Sequence, residues 1–275
     1  MVAEGAEFIL GEAQGEVRLI HTTCSIHENQ TLEEGFEIWA NCAAVRGLLD
    51  ASRIAEVLGQ VEYVDKWQKR ASILWKAINE KLYDQNAGIF IKTLRGDGSR
   101  INAPDVAQLA PFYFGLSQDA ELLRRTLDCV RDALWNPRVG GVNRFRDFEI
   151  VKDWHWYTGG TGATWPLFTL WLARFYRKLG ETEKSEECIS FIKKASTDCM
   201  EIPEKVAPLG GYKEWKQNET EYNERIVQGI AKAERSKIAI PEYIAWACPL
   251  GWSHAEFLLL EENEQSIDPD VLNIN

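Results

Sequence analysis

The sequence predicts an all-α protein built from helical hairpins. Apolar residues recur at three- and four-residue steps over long stretches, two of these stretches end at a Leu-Gly pair, and strand-like alternation is short and rare. The 275 residues are 45% hydrophobic and 27% charged, which is typical of a globular protein. We therefore expect a single domain over residues 1–275, with a frayed tail at 262–275.

Two helical hairpins set the pattern. The first joins residues 38–58, rich in small side chains that let a neighbouring helix approach, to the amphipathic stretch 61–82; the second joins 163–179 to 184–200. Gly59 and Gly180 follow the first helix of each hairpin and are predicted C′ residues. A short turn or ribbon is expected at 82–92. Further helices are predicted at 106–114, 119–135, 221–235 and 249–260.

Charge and composition weigh against several classes of function. With 31 basic and 42 acidic residues the formal charge is −11, whereas a nucleic-acid partner requires a concentrated basic surface. No apolar run reaches the roughly 18–20 residues of a membrane-spanning helix, so we expect a cytoplasmic protein with no membrane partner. Six cysteines without a C-x-x-C pair and four histidines without H-E-x-x-H predict no disulfide framework, no metal and no cofactor.

The candidate chemistry lies in carboxylates that stand beside aromatic residues. Glycoside hydrolysis needs one protonated carboxyl group, which donates to the leaving oxygen, and one ionised carboxylate opposite it. The 11 tryptophans and Arg144 add groups that could contact a sugar, since large rings stack on pyranose faces. The acidic residues fall in three loops: Glu28, Glu33 and Glu34; Asp147 and Asp153; Glu201 and Glu204.

Five segments, in order along the chain, resemble the glucoamylase-like glycoside hydrolases of family 15. The last of them, Pro-Leu-Gly-Trp-Ser-His-Ala-Glu at 249–256, is the most specific match. The resemblance spans most of residues 22–260 and implies an (α/α)6 toroid that hydrolyses α-glucosidic bonds with inversion. The other four segments are Ser-Ile-His-Glu-Asn at 25–29 with Gly35 and Trp39, Gly-Gly-Val-Asn-Arg-Phe at 140–145 with 154–165, Trp-Leu-Ala at 171–173 with Leu-Gly at 179–180, and Ile-Pro-Glu-Lys-Val at 202–206.

The resemblance also implies roles for individual residues. The general acid would be Glu28, but the spacing to Gly35 departs from the family pattern, so Glu33 and Glu34 remain alternatives. The general base would be Glu204, with Glu242 of a second Ile-Pro-Glu as the reserve. Inversion requires carboxyl groups roughly 6.5–9.5 Å apart. The residues implied to bind substrate or line its pocket are Arg144, Trp39, Trp154, Trp156, Trp165 and Trp252.

The family has helices that find no counterpart before residue 20. The chain therefore resembles the C-terminal two thirds of a catalytic domain, a toroid incomplete at its N-terminal side, whose open side a homo-oligomer or a companion chain would cover. The expected partner is an α-linked oligosaccharide or polysaccharide, with maltose, trehalose and glucans all open. The alternatives are a carbohydrate-binding or regulatory toroid and an inactive fragment; a helical-repeat scaffold is disfavoured by the irregular hairpin spacing.

Overall fold

A computed structural model describes residues 2–12, 17–28, 30–145, 163–210, 212–213, 228 and 232–261, and helices dominate them. The predicted all-α fold class is confirmed. The chain divides into two compact units, and the boundary between them lies between Cys129 and Val130 in the sequence. The predicted tail at 262–275 and most of the predicted helix at 221–235 lie outside the described residues.

The helices of the first unit follow the predicted positions closely. The predicted helix at 106–114 is a 3₁₀ turn, Val106–Leu109, that continues as a short α-helix. The sequence did not predict the first helix, because two glycines in eleven residues lower its helix propensity. The α-helices are α1 (Val2–Glu12), α2 (Gln30–Glu33), α3 (Ile38–Val57), α4 (Val61–Lys81), α5 (Ala110–Tyr113) and α6 (Ala120–Leu134), the last of which runs on into the second unit.

Helices α3 and α4 form the predicted hairpin, and their apolar faces make the core of the first unit. Trp67, Leu74 and Ile78 of α4 are almost fully buried, as are Val45 and Leu48 of α3. Burying side chains of this size stabilises the unit by about 1.5–3 kcal/mol each. The apolar spacing in the sequence therefore predicts the buried face of α4 correctly.

The two predicted C′ glycines end their helices in the same way. Gly59 has φ +70° and Gly180 has φ +75°, a left-handed conformation that a side chain disfavours. In both turns the glycine N–H and the following N–H bond back to carbonyls of the last helical turn, the pattern of a Schellman motif. The bonds are Gly59 N to Glu56 O, Gln60 N to Ala55 O, Gly180 N to Arg177 O and Glu181 N to Tyr176 O.

Short antiparallel strands complete the first unit. The predicted ribbon at 82–92 is confirmed as a hairpin of β2 (Tyr83–Asp84) and β3 (Ile89–Phe90). A three-stranded sheet has the order β1 (Phe36–Glu37), β4 (Thr93–Leu94), β5 (Arg100–Ile101). In it Glu37 pairs with Thr93, so the residue before α3 is fixed against the β4 segment.

Gly35 lets the chain enter β1. Its N–H and C=O exchange hydrogen bonds with Thr22 at 2.9 and 2.8 Å, and its φ is +136°. A Cβ atom at this position would lie 2.6 Å from the backbone oxygen of Leu94. Only glycine fits such a close approach of two backbones.

The second unit contains the second hairpin and a ladder of short strands. The helix predicted at 184–200 begins at Thr182 and ends earlier than expected, at Ala195, where Ser196 turns to an extended conformation. The sequence did not predict the pairing of β8 with β9. The elements are β6 (Trp135–Asn136), β7 (Gly141–Val142), α7 (Pro166–Lys178), α8 (Thr182–Ala195), β8 (Lys205–Pro208), β9 (Tyr243–Trp246) and α9 (Gly251–Glu261).

A search of the described residues finds no helix with both the length and the apolar character needed to cross a membrane.

Gly35→Ala should destabilise the protein by about 2 kcal/mol or more, because the methyl group meets backbone and the residue keeps a strained φ. Urea unfolding followed by circular dichroism measures this change. Gly47→Ala is the matched control: it lies in α3, its Cβ would meet only the Ile9 Cδ1 atom at 3.8 Å, and it should stabilise by about 0.5–1 kcal/mol. Equal stability of the two variants would contradict the close approach at Gly35.

Candidate functional site

The glutamates between residues 28 and 34 lie in different environments. Glu28 and Glu34 are exposed, and Glu34 accepts a hydrogen bond from the Gln30 side chain at 3.2 Å. Glu33 is fully buried and accepts from two backbone N–H groups, that of Ser25 at 2.8 Å and that of His27 at 2.7 Å. Both oxygens of Glu33 thus hold the 25–27 loop in place.

A fourth glutamate, Glu37, has the environment that a proton donor requires. It is fully buried at the end of β1 and is the N-cap residue of α3. Its Oε2 atom accepts from the Ala40 backbone N–H at 2.8 Å and from the Ser25 hydroxyl at 3.0 Å. Among the described residues, no hydrogen-bonding group reaches its Oε1 atom.

Burial raises the pKa of Glu37 to about 7, although the positive charge of Lys92 acts in the opposite direction. Since Oε2 already accepts two hydrogen bonds, the proton of the neutral form belongs on Oε1. A carboxyl group with this pKa can both hold and release a proton near neutral pH. The sequence reasoning missed Glu37; the signal that could have found it is its position directly before the first residue of a helix.

Trp39 lies in the first turn of α3, two residues after Glu37. It is half-buried, and its ring centroid lies 4.9 Å from that of Tyr113 and 4.9 Å from that of Phe114. These three rings form an aromatic cluster in the first unit.

In the second unit, backbone pairing brings Arg144, Trp165 and Lys205 together. Thr164 bridges to Asn143 on one side and to Val206 on the other, and each of the three residues adjoins one of these pairing positions. The Arg144 guanidinium carbon lies 4.6 Å from the Trp165 ring centroid, and the Lys205 Nζ atom lies 5.7 Å from it. Two buried cationic side chains therefore approach one buried indole ring.

Glu204 immediately precedes β8 and interacts electrostatically with Lys205. Its backbone N–H donates to the Ala247 carbonyl at 3.0 Å, and its side chain is half-buried. Burial lowers the pKa of Lys205 to about 7; the Arg144 charge acts in the same direction, and the Glu204 charge opposes both. The predicted base thus lies beside Lys205, in the same cluster as the predicted sugar-binding Arg144.

Glu242, the alternative base, lies at the other end of the same ladder. The antiparallel register pairs Lys205 with Trp246 and Pro208 with Tyr243. Glu204 precedes the first strand residue and Glu242 precedes the first residue of the partner strand, so the two glutamates flank opposite ends of the β8–β9 pair. Glu242 is exposed and has φ +63°.

Helix α9, which carries the 249–256 segment, is tied to the residues before Glu204. The Ile202 backbone N–H donates to His254 Nε2 at 2.9 Å, and the Leu250 N–H donates to the Ile202 carbonyl at 2.9 Å. Glu256 in turn forms an ion pair with Arg174 of α7 at 2.8 Å. His254 therefore holds the backbone of the Ile-Pro-Glu segment, whereas Glu256 joins α9 to α7.

The remaining predicted site residues are placed as follows. Trp252, on α9, is 42% exposed, and its ring lies 5.9 Å from that of Trp171, edge-on. Trp154 and Trp156, and the acidic Asp147 and Asp153, lie outside the described residues. Within the described part of the chain, no group of three or more His, Cys, Asp or Glu side chains could hold a metal ion.

Comparison with known families identifies the chain. Residues 24–189, more than half of its length, match the mannosylglycerate hydrolase MGH1-like glycoside hydrolase domain. The chain belongs to this family. The matched range includes Glu37 and Arg144 and ends before Glu204.

Individual relatives of this MGH1-like glycoside hydrolase agree with that assignment. An uncharacterized glycosyl hydrolase of Methanocaldococcus jannaschii is 24% identical over 253 residues, which is 86% of this chain and 34% of the relative. A solved bacterial glucoamylase, in complex with acarbose, is 19% identical with a TM-score of 0.61 over 94% of this chain and 36% of its own. A solved glycosidase is 18% identical with a TM-score of 0.57, over 87% of this chain and 54% of its own.

These comparisons confirm the expectation at a coarse level: the chain belongs to a glycoside hydrolase family, and its fold is similar to that of (α/α)6 toroid enzymes. Membership of family 15 itself stays a prediction. The chain spans about a third to a half of the length of the relatives that it matches.

The stability of the protein should rise with pH because of Lys205. Its pKa is about 7 in the folded protein against 10.5 ordinarily, so between these values the unfolded chain binds more protons than the folded one. Lys205→Met should remove this contribution, a slope of at most about 1.4 kcal/mol per pH unit, and should stabilise the protein at pH 7. Urea unfolding at several pH values measures the slope.

Lys193→Met, which removes an exposed lysine of α8, is the matched control and should leave the slope unchanged. A Lys205→Met slope equal to that of the wild type would show that Lys205 is charged to the same extent in both states.

Proposed function

We propose that this protein hydrolyses α-glucosidic bonds with inversion of configuration, with Glu37 as the general acid and Glu204 as the general base. The observation that carries the proposal is the Glu37 carboxyl: it is buried, has a raised pKa and accepts the hydrogen bonds of Ser25 and Ala40 on its Oε2 atom. A general acid must be protonated at working pH and must present its proton to the leaving oxygen.

Glu37 is fully buried, so donation requires the residues that cover Oε1 to give way when substrate binds. Glu28 and Glu34, which the family resemblance suggested, are the alternative acids. They are exposed, whereas the Glu37 carboxyl is buried.

The base role of Glu204 is supported by its surroundings. The charge of Glu204 interacts with that of the neighbouring Lys205, and an ionised carboxylate can take a proton from the attacking water. His254 holds the backbone of the preceding residues. In the proposed site Arg144 binds sugar hydroxyls, and Trp39, Trp154, Trp156, Trp165 and Trp252 line or support the pocket.

The proposed substrate is an α-linked oligosaccharide or polysaccharide. Among the similar solved structures are the glucoamylase bound to acarbose and a neutral trehalase from Saccharomyces cerevisiae, 12% identical with a TM-score of 0.50 over 91% of this chain and 42% of its own. A second copy or a companion chain that covers the open side of the toroid is a further part of the proposal. A cytoplasmic location is part of the same proposal.

A panel of α-glucosides tests the function directly. Incubation with maltose, trehalose and maltooligosaccharides, followed by proton NMR of the first product formed, should show β-glucose. Release of α-glucose would contradict inversion, and the absence of hydrolysis from every substrate would contradict the proposal for this chain. Glu204→Gln should abolish hydrolysis, whereas the control Glu242→Gln, at the other end of the β8–β9 pair, should retain it.

Glu37→Gln should lower kcat by about 10²–10⁴-fold on a natural disaccharide, because proton donation contributes a factor of this size. The loss should be much smaller on α-glucosyl fluoride, whose leaving group needs little protonation. Steady-state kinetics on both substrates measures the difference.

Glu34→Gln and Glu28→Gln are the controls for this test, and both should hydrolyse the disaccharide at nearly the wild-type rate. A full loss in either of them, with Glu37→Gln active, would transfer the acid role to that residue.

A further inference from the structure

A buried charge cluster lies in the first unit: Lys92, Asp105 and His27. The Lys92 Nζ atom lies 2.8 Å from Asp105 Oδ2, and His27 Nε2 lies 2.7 Å from Asp105 Oδ1. All three residues are at most 4% exposed. Burial alone would raise the pKa of Asp105, but the charges and hydrogen bonds of His27 and Lys92 outweigh it and hold that pKa well below its usual range.

The cluster lies beside Glu37. Lys92 directly precedes Thr93, the strand partner of Glu37, and the Lys92 carbonyl accepts from the Ile38 N–H at 2.9 Å. Within the part of the chain that the structure describes, the titratable groups that act on Glu37 or respond to its charge are Lys92, Glu33 and Cys42. Lys92 is the one cation among these, and a buried cation acts strongly because little water screens it.

The Lys92 ammonium group is held in place by a rigid carboxylate. Asp105 caps the 3₁₀ turn, accepting from the Ala107 N–H at 2.9 Å, while its own N–H donates to Gln108 Oε1 at 2.7 Å. The Gln108 side chain in turn donates to the Phe90 carbonyl at 2.6 Å. The position of the positive charge is therefore determined by the strand β3 and the 3₁₀ turn.

The same cluster also supports the hydroxyl donor of Glu37. Asp105 binds the His27 ring, and the backbone N–H groups of His27 and Ser25 both donate to Glu33. This arrangement holds the loop from which the Ser25 hydroxyl donates to Glu37. One connected network thus supplies both the positive charge and the hydroxyl that act on the Glu37 carboxyl.

Stability alone does not account for such a cluster. A buried ion pair loses more solvation than an apolar pair of the same volume, and its replacement by apolar residues is often neutral or stabilising. A function that requires the fixed positive charge of Lys92 beside the Glu37 carboxyl gives a physical reason for the Lys92–Asp105 ion pair.

We propose that Lys92, whose ammonium group is held on Asp105 in the segment that pairs with Glu37, is a positioning residue for the Glu37 carboxyl. The consequence for catalysis rests on the acid role proposed above for Glu37. The effect on proton affinity does not depend on that role and can be measured in the absence of any substrate.

The test is a carboxyl NMR titration of the full chain labelled with carbon-13 at glutamate Cδ. The Glu37 signal is identified by its loss in Glu37→Gln. Lys92→Met should move the Glu37 midpoint upward by about one pH unit or more, since an opposite charge nearby ordinarily lowers a carboxyl pKa by 1–3 units. Lys92→Arg, which keeps the charge, should return the midpoint towards the wild-type value.

Lys76→Met is the matched control, because it removes the same charge from an exposed position on α4 and should not move the midpoint. If Lys92→Met fails to fold, the double variant Lys92→Met/Asp105→Asn removes both charges of the pair and should show the same upward shift. An unchanged midpoint in folded Lys92→Met or in the folded double variant, or an equal shift in Lys76→Met, would overturn the proposal.

Kinetics separates this proposal from the proposed function. If the protein hydrolyses a glucoside, the basic limb of its kcat/KM profile should move with the NMR midpoint in Lys92→Met, because the acid must be protonated. A limb that stays in place while the midpoint moves would exclude Glu37 as the acid and leave the effect of Lys92 on its protonation established. Hydrolysis by the protein, with no shift of the Glu37 midpoint in Lys92→Met, would overturn the proposal for Lys92 and leave the proposed function standing.

Discussion

The burial of one carboxyl group, that of Glu37, is the constraint on which the first unit depends. Burying a carboxyl group destabilises the folded state unless its oxygens receive hydrogen bonds or the group keeps its proton. Glu37 has both features: its Oε2 atom accepts hydrogen bonds, and its raised pKa favours the protonated form. One oxygen receives two donors, from Ser25 and from the first turn of α3. The close approach at Gly35 and the pairing with Thr93 fix the backbone from which this side chain extends.

The second unit meets the inverse problem, a buried cation. Lys205 is fully buried beside Glu204, and its lowered pKa shows that the carboxylate only partly offsets the cost of burial. Arg144 adds a second positive charge next to the Trp165 ring. In each unit, therefore, burial brings the pKa of one titratable group towards neutral pH. It raises the pKa of Glu37 and lowers the pKa of Lys205.

The features that could be predicted from the sequence are those in which local spacing determines the outcome. The hairpin helices and their glycine ends follow from apolar periodicity and from the left-handed residue that a Schellman turn requires. The β8–β9 pair could not be predicted, since its strands are short and residues 209–242 separate them along the chain. Glu37 was missed for a related reason: its burial depends on contacts with Ser25 and Thr93, which local spacing does not encode.

The same low dielectric that makes the cluster costly also makes it effective. A lysine on the surface would act weakly on Glu37 because water and salt screen it, whereas a buried one acts at nearly full strength. Glu28 and Glu34 are exposed, unlike Glu37. A proton donor for neutral pH is therefore expected inside the helical core, at a helix start where backbone N–H groups stabilise the carboxylate that remains after donation.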